Sequence, residues 1–407
     1  MITHAARWMA RSMVGRSGAV AALLASAGVC SVALGGPGCR ELPRLDADGT
    51  AVMEVAEVSA PVSDPWPTNS GKIDHSKALT TIVFGSCARS DRPQEIWEMI
   101  NSAKPELFLF IGDNVYVDIP NRNPGAADFA PKYAELAAFE GYQKLRDSCP
   151  ILVTWDDHDY GLNDAGKEWQ HKGHAQQQIL GFFGEPEGSP RWERDGIYAS
   201  YVTGPEGKRV QVIMLDTRFN RDTLDRVPGE RPRGRGPYVA TTDTSKSMLG
   251  QKQWEWLERV LSEPADVRIL GSSIQVVADE HGYETWGNMP HERQRLYDLI
   301  AKTGANGLVA ISGDRHLMEI SVERQGVPYP IWDFTSSGFN WGSGEVSDPN
   351  QHRVGPVLRQ PNFGVIRIDW EKADPEILLE GRGDKGQVLT SATVKLSELK
   401  AKPAPAQ

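Results

Sequence analysis

From about Leu79 onward, short apolar runs alternate along the chain with stretches whose apolar residues recur every three or four positions. Seven runs are almost continuously apolar, which predicts strands buried on both faces; they are LTTIVFG, ELFLFIG, PILVTW, RVQVIML, DVRILGSS, GLVAISG and PIWDFTSS. The periodic stretches RPQEIWEMINSA, GQKQWEWLERVLSE and PHERQRLYDLIAKTG predict helices. Alternating strands and helices of this length favour an α/β fold with a largely parallel inner sheet.

The pattern changes near the C-terminus. The runs FGVIRIDW, PEILLEGRG and QVLTSATVKL are joined by short turns and predict three more strands. Because short turns connect antiparallel strands, we expect these three to add to a second sheet. The folded domain is then expected to span residues 79–397, with a disordered tail at 398–407.

The first 35 residues have the pattern of a secretory signal peptide. Three arginines precede a small apolar run at residues 19–34, which is too short to span a bilayer. An uncleaved anchor is one alternative, and lipidation of Cys39, whose sequence context fits poorly, is another. Residues 36–78 are rich in Pro, Ser and Asp and predict a linker or an arm wrapped on the domain. We therefore expect an exported protein, located in the periplasm, on the cell surface or outside the cell.

Charge narrows the range of partners. The 407 residues carry 44 Lys and Arg against 54 Asp and Glu, a formal net charge of −10. We do not expect so acidic a chain to bind nucleic acid or anionic membranes through bulk charge. We expect a monomer that has no transmembrane segment once the leader is removed.

Two cysteines, Cys87 and Cys149, lie in the predicted domain. Cys87 follows one predicted strand and Cys149 precedes another, so parallel strands would hold the two residues on the order of 15 Å apart. A disulfide requires Cα atoms closer than about 7 Å. We therefore expect Cys87 to be a free thiol in an exported protein, where a disulfide would be the usual state.

Polar residues with metal-binding or catalytic chemistry follow five of the predicted strands. The five motifs are GSCAR, GDNVYVD, WDDHDYGLND, LDTR and SGDRH. Each motif alone is compatible with an ordinary turn. All five stand at carboxyl ends, however, and in open α/β sheets the ligand crevice lies outside those ends. We therefore expect the five motifs to converge on one site.

The donor atoms in these motifs suit two metal ions of different character. The candidate ligands are Cys87, Asp113, Tyr116, Asn163, Asp314 and His316, with Asp156, Asp157, His158 and Asp159 nearby. Mixed sulfur, nitrogen and oxygen donors suit a transition metal, whereas carboxylate and amide oxygens suit harder divalent ions. The Asp113 carboxylate has two oxygens and could bridge two ions ~3.5–4 Å apart.

In order and spacing, these motifs resemble those of the PhoD-type alkaline phosphatases, a branch of the calcineurin-like metallophosphoesterases. The resemblance covers about residues 79–369 and implies a four-layer αββα sandwich, in which two mixed sheets are flanked by helices. It also implies a ferric ion and a second ion, typically calcium, although another divalent metal is open there. The implied iron ligands are Cys87, Asp113, Tyr116 and His316, and the implied ligands of the second ion are Asp113, Asn163 and Asp314.

The resemblance implies a secreted enzyme that hydrolyses phosphate monoesters, diesters or both through attack by metal-activated hydroxide. Arg218 in LDTR matches the family's phosphate-contacting arginine, so we expect Arg218→Lys to reduce activity with little effect on stability. His158 is a candidate proton donor to the leaving group or a group that holds a metal ligand. Because few residues lie between the predicted leader and the predicted domain, we do not expect the separate N-terminal β-domain of longer family members, and substrate preferences governed by that domain are not carried over.

Several assignments stay open at this level. Asp156 and Asp157 are expected to orient Asn163 or other ligands, Asp159 is uncertain, and Asp118 is either a supporting group or a turn residue. Four aromatic residues wall the pocket or belong to the core: Trp155, Trp286, Trp341 and Phe339. Two rival functions also remain, a phospholipase-D-like phosphodiesterase and a non-catalytic secreted binding protein with a vestigial site.

Overall fold

The strands form two large sheets that pack face to face. The computed structural model describes residues 63–344 and 348–401. In chain order its strands are β1 (Thr81–Gly85), β2 (Leu107–Ile111), β3 (Ile151–Thr154), β4 (Ala199–Thr203), β5 (Val210–Met214), β6 (Asp225–Arg226), β7 (Tyr238–Val239), β8 (Val267–Ser272), β9 (Leu308–Ser312), β10 (Met318–Glu323), β11 (Ile331–Ser336), β12 (Arg353–Leu358), β13 (Asn362–Asp369), β14 (Glu376–Gly383) and β15 (Val388–Lys395). The first sheet has the order β15-β14-β13-β1-β2-β3, the second has the order β12-β10-β11-β9-β8-β5-β4, and β6 and β7 form a separate hairpin.

Helices cover the outer face of each sheet. They are α1 (Ile96–Ser102), α2 (Phe129–Ala137), α3 (Glu140–Ser148), α4 (Asp157–Tyr160), α5 (Lys172–Phe183), α6 (Gln251–Leu261) and α7 (Pro290–Thr303). Apolar residues of α1, α2, α3 and α5 share one core with the first sheet. Residues of α6 and α7 share a second core with both sheets. The predicted αββα sandwich is therefore confirmed.

The continuous apolar runs are explained by burial of both sheet faces. In β2, Leu107, Leu109 and Ile111 belong to the core between the sheets. Phe108 and Phe110 alternate with them and pack in the core under the helices. Since successive side chains of a strand point to opposite faces, a strand between two cores has no polar face to show.

All seven apolar runs of the predicted inner strands contain an observed strand, and the three predicted helices are α1, α6 and α7. Pro290 begins α7, and Gly304, in the left-handed region with φ 63°, ends it. The prediction that the three C-terminal strands add to a second sheet is wrong. β13 pairs antiparallel with β1, so the C-terminal strands extend the sheet that holds β1, β2 and β3. The apolar segment that forms each strand can be recognised in the sequence. The sheet that the strand joins depends on its pairing with residues far away in the chain.

Residues 63–78 of the predicted arm contact the domain. The backbone of Asp64 hydrogen-bonds to Ser200 in β4, and its carboxylate pairs with Arg194 at 2.9 Å. The predicted signal peptide, Cys39, residues 36–62 of the arm and residues 402–407 of the tail lie outside the described residues. Among the residues described, we find no helix with the length and apolar character that a membrane crossing requires.

Candidate active site

The carboxyl ends of strands from both sheets meet at one edge of the sandwich. β1, β2 and β3 run parallel in the first sheet, and β5, β8 and β9 run parallel in the second. The loops that follow are tied by backbone hydrogen bonds, from Ala88 to Asp113 (3.0 Å) and from Val117 to His158 (3.0 Å). The loop after β11 also bonds to the loop after β1. The motifs that follow the strands therefore face one region.

Four predicted ligands form a compact buried cluster. The Cys87 Sγ and the Tyr116 hydroxyl each lie 3.2 Å from Oδ2 of Asp113. The Tyr116 hydroxyl is also 3.3 Å from Nε2 of His316. Donor atoms of Cys87, Asp113 and His316 all lie within 4.8 Å of one another. One thiol, one carboxylate, one phenol and one imidazole could thus share a single cation.

The backbone at these residues is strained. Cys87, Asp113, Asp314 and His316 all have positive φ angles, between 51° and 65°. For a residue with a side chain, this conformation costs about 1 kcal/mol or more. Such conformations are concentrated at functional sites. Four of the six such residues in the described chain are predicted ligands. Backbone strain at these four positions therefore lowers local stability, and it accompanies the placement of the predicted ligands.

Glycines before two of the ligands allow loops to approach closely. A Cβ on Gly112 would lie 2.6 Å from Cβ of Asp156, and a Cβ on Gly313 would lie 2.6 Å from Oγ of Ser86. Gly112 also has a φ of 105°, which favours glycine. The glycine in the GD pair of each motif is thus explained by packing between adjacent loops.

The protonation equilibria fit a site built for a cation. Burial, reinforced by the charge of Asp113, raises the pKa of Cys87 and of Tyr116 well above their usual values. Burial also raises the pKa of Asp113 itself. Burial and the nearby His158 lower the pKa of His316 to about 3, so its imidazole is neutral and available as a ligand. Without a cation these buried acids favour their neutral forms, and a bound metal ion would stabilise the anions.

The ligands predicted for a second ion are less closely assembled. The Asn163 residue is exposed, and its backbone N–H donates to Oδ2 of Asp118 at 3.2 Å. Asp314 is half-buried, and burial raises its pKa. No described contact joins either side chain to Asp113. Two other groups of residues have donor atoms within 4.8 Å of one another. One group is Asp113, Asp157 and His158, and the other is Asp157, Asp164 and Glu284.

His158 is held at the centre of the site by three contacts. Its Nδ1 is 2.7 Å from Oδ1 of Asp118, and its backbone N–H donates to Oδ1 of Asp113. Its ring stacks on Tyr116 with centroids 4.2 Å apart. Burial lowers the pKa of His158, but the charges of Asp157, Asp113 and Asp118 outweigh burial and raise it. Asp118 is thus a supporting group for His158 and not a simple turn residue.

The structure does not place Arg218 where a phosphate could reach it. The side chain is fully buried and makes five hydrogen bonds, to Asp156, Glu284 and the Ala165 carbonyl. Five bonds use all five guanidinium N–H groups. The charges of Asp156 and Glu284 raise the pKa of Arg218 against the effect of burial. In this arrangement Arg218 lies between two carboxylates and has no N–H group left for the predicted phosphate contact.

Asp156 and Asp159 connect the loop after β2 to the loop after β3. Asp159 accepts hydrogen bonds from the backbone N–H of Asn114 (3.0 Å) and from that of Asp156 (2.6 Å). Asp156 accepts from Oγ of Ser273 at 2.7 Å and pairs with Arg218. Burial raises the pKa of Asp156 to about 6 despite the opposing charge of Arg218. These two carboxylates therefore hold ligand-bearing loops together.

Comparison with known proteins identifies the family. The sequence model described as PhoD-like phosphatase matches residues 82–354, well over half of the chain. The chain belongs to the PhoD-like phosphatase family. Alkaline phosphatase D of Bacillus subtilis (strain 168) is 22% identical over 281 residues, which are 58% of this chain and 46% of that protein. The chain thus spans less than half the length of this relative.

Two solved structures support the fold. A structure of PhoD aligns with a TM-score of 0.63 at 16% identity, covering 83% of this chain and 74% of that one. A purple acid phosphatase from yellow lupin (Lupinus luteus) seeds aligns with a TM-score of 0.55 at 13% identity, covering 84% of this chain and 58% of that one. Both comparisons agree with the two mixed sheets and flanking helices described above.

In this PhoD-like phosphatase, sequence reasoning missed residues that support the ligands. Ser337 accepts a hydrogen bond from the His316 backbone at 2.8 Å and lies 3.1 Å from the Cys87 sulfur. Its position directly after β11 is a signal that could have found it. Glu284 lies in a loop and carries no such signal, although it pairs with Arg218 and with Arg221 at 2.8 Å.

The aromatic residues divide into core and site. Trp155, Trp286 and Phe339 are fully buried and belong to the hydrophobic cores. Trp341 is half-buried, and its ring centroid lies 3.9 Å from that of His316. Of the four predicted pocket residues, Trp341 is therefore the one that lies against a predicted ligand at the accessible side.

Proposed function

We propose that this chain is a metal-dependent phosphoesterase that hydrolyses phosphate monoesters, diesters or both. The observation that carries the proposal is the buried cluster of thiol, carboxylate, phenol and imidazole donors in a chain of the PhoD-like phosphatase family. A vestigial binding protein would have no need to retain this strained and chemically costly set of side chains.

The donor set favours a ferric ion held by Cys87, Asp113, Tyr116 and His316. Thiolate and phenolate are strongly donating anions that match a transition metal better than Mg²⁺ or Ca²⁺. We propose a second ion, typically calcium, held by Asp113, Asn163 and Asp314.

With the ions bound, the side chains around them would promote an in-line displacement at phosphorus. The bound ions supply Lewis-acid activation of water and stabilisation of the charge on the phosphoryl oxygens. As the water oxygen bonds to phosphorus, the bond to the leaving-group oxygen breaks and that oxygen takes up a proton. Nδ1 of His158 is hydrogen-bonded to Asp118. We therefore propose that the N–H at Nε2 of His158 donates the proton to the leaving-group oxygen. Asp113 holds the His158 backbone and thereby fixes the ring relative to the ligands.

The predicted export of the chain also stays a proposal. Mass spectrometry of the mature protein after expression with its leader separates the alternatives. A chain that begins near residue 36 would support cleavage of the signal peptide. An intact N-terminus would support the anchor, and a lipid-modified Cys39 would support lipidation.

A metal-replacement assay tests the activity. The purified protein is depleted with a chelator and then supplied with iron, calcium, zinc or iron plus calcium. Each form is assayed on a phosphate monoester, a phosphate diester and a phospholipid. We expect depletion to abolish turnover and iron plus calcium to restore it, and the preferred substrate defines the class of esterase. A fully reconstituted protein that turns over none of the three would contradict the proposal.

A further inference from the structure

The buried position of Arg218 leaves the phosphate to be contacted by another protein cation. Arg218 is fully buried and its N–H groups are all used. A substrate must approach from the accessible side of the cluster, where His316 and Trp341 are half-buried. The phosphate-binding cation should therefore lie beside these two residues.

Arg89 occupies this place. Its guanidinium carbon lies 5.6 Å from the ring centroid of Tyr116 and 5.6 Å from that of Trp341. Its side chain retains 14% exposure. Arg89 is also only two residues from Cys87, in the loop after β1. The guanidinium thus lies at the rim of the cluster, between a predicted ligand and the aromatic ring that covers His316.

Hydrogen bonds hold the Arg89 backbone and one edge of its guanidinium in place before any substrate binds. Asn340 accepts from the Arg89 N–H at 3.0 Å and donates to its carbonyl at 2.8 Å. Asp91 accepts from Nε at 2.8 Å and from Nη2 at 2.5 Å. This pairing orients the side chain and leaves Nη1 to another partner. A fixed cation with a spare edge is suited to an oxyanion, because little entropy is lost when the contact forms.

We propose that Arg89 contacts the non-bridging phosphoryl oxygens of the substrate through Nη1. The inference rests on the proposed function and gives Arg89 the role that the sequence suggested for Arg218. Two other arginines are less well placed. Arg92 is exposed, over the Trp341 ring, and Arg315 pairs with Asp348 at 2.6 Å and lies over the Tyr283 ring.

Binding of inorganic phosphate to the metal-loaded protein tests the inference, with Arg89→Gln compared with Arg92→Gln. Both substitutions remove a charge beside Trp341, so Arg92→Gln controls for the general effect of charge. Calorimetry should show a dissociation constant raised about tenfold or more in Arg89→Gln, as expected for loss of a charge-assisted hydrogen bond. Arg92→Gln should stay within about twofold of the unsubstituted protein. KM for a monoester should rise in parallel, and metal content should be unchanged in both variants.

Unchanged phosphate affinity in Arg89→Gln would overturn the inference, as would equal weakening in both variants. Loss of metal from Arg89→Gln would also overturn it, since the residue would then support the ligands. The outcome is separable from that of the proposed function. A protein that binds phosphate through Arg89 but hydrolyses no ester would support this inference and contradict the esterase assignment.

Discussion

The sulfur of Cys87 lies 3.2 Å from Oδ2 of Asp113, and both residues are buried. Two acids at this distance cannot both be charged at low cost unless a cation joins them. Cys149 is also buried and free, so a disulfide does not explain the retention of Cys87. The pairing of thiol and carboxylate is best explained by a shared metal ion.

Replacement of Cys87 should therefore remove the metal. We expect Cys87→Ala to lose most of its iron, because one of four donors and an anionic charge are gone. Cys149→Ala is a matched control, since Cys149 is an equally buried free thiol in the core under the helices. Elemental analysis per mole of chain measures the difference. Equal iron content in the two variants would return Cys87 to the role of a small buried side chain.

Replacement of Tyr116 should change the colour of the protein. A phenolate bound to a ferric ion gives a ligand-to-metal charge-transfer band, and Tyr116→Phe should shift or bleach it. Tyr133→Phe is the control, because Tyr133 is buried but belongs to the packing of the core. Visible absorption spectra of the purified variants make the comparison. Identical spectra in Tyr116→Phe and the unsubstituted protein would exclude a Tyr116 phenolate from the centre.

Metal affinity should increase with pH. Burial raises the pKa of Cys87 and of Tyr116, so in the metal-free protein both groups are protonated at neutral pH. Binding must displace these protons, and each proton contributes about a tenfold gain in affinity per pH unit below the raised pKa values. Titration of the metal-free protein from about pH 6 to about pH 8 should show this slope. Cys87→Ala should reduce the slope by about one proton, and a flat profile would contradict the ligand assignment.

Arg218 should matter for stability, which reverses the expectation from sequence. Arg218→Lys keeps the charge but loses the planar fork that bonds both Asp156 and Glu284. We expect a loss of about 2 kcal/mol or more in the free energy of unfolding, since buried carboxylate oxygens are left without partners. The exposed Arg122 gives the control, and Arg122→Lys should stay within about 0.5 kcal/mol. Urea denaturation that fails to separate the two variants would contradict the positioning role.

The sequence predicted the inner strands and the position of the cluster for a simple physical reason. A strand between two cores is apolar throughout, so polar residues such as Asp113 are conspicuous where β2 ends. The direction of a parallel sheet then places such ends at one edge. Both signals are local in the chain, so the sequence alone carries them.

The orientation of a side chain depends on partners that are distant in the sequence. Arg218 and Glu284 are separated by 66 positions, and neither the motif LDTR nor the loop that holds Glu284 indicates their pairing. Whether Arg218 points to the substrate or into the protein is decided by that distant carboxylate. The sheet joined by β13 was missed for the same reason, because its partner β1 lies at the other end of the domain sequence.

Anomalous diffraction at the iron absorption edge, from crystals of protein purified in air, locates the metal relative to the four donor side chains. We predict a single strong peak within bonding distance of Cys87, Asp113, Tyr116 and His316, at about 2.0–2.3 Å from their donor atoms. A crystal with no iron in this cluster, or with its metal bound only by Asp157, Asp164 and Glu284, would show that these four residues do not hold a ferric ion.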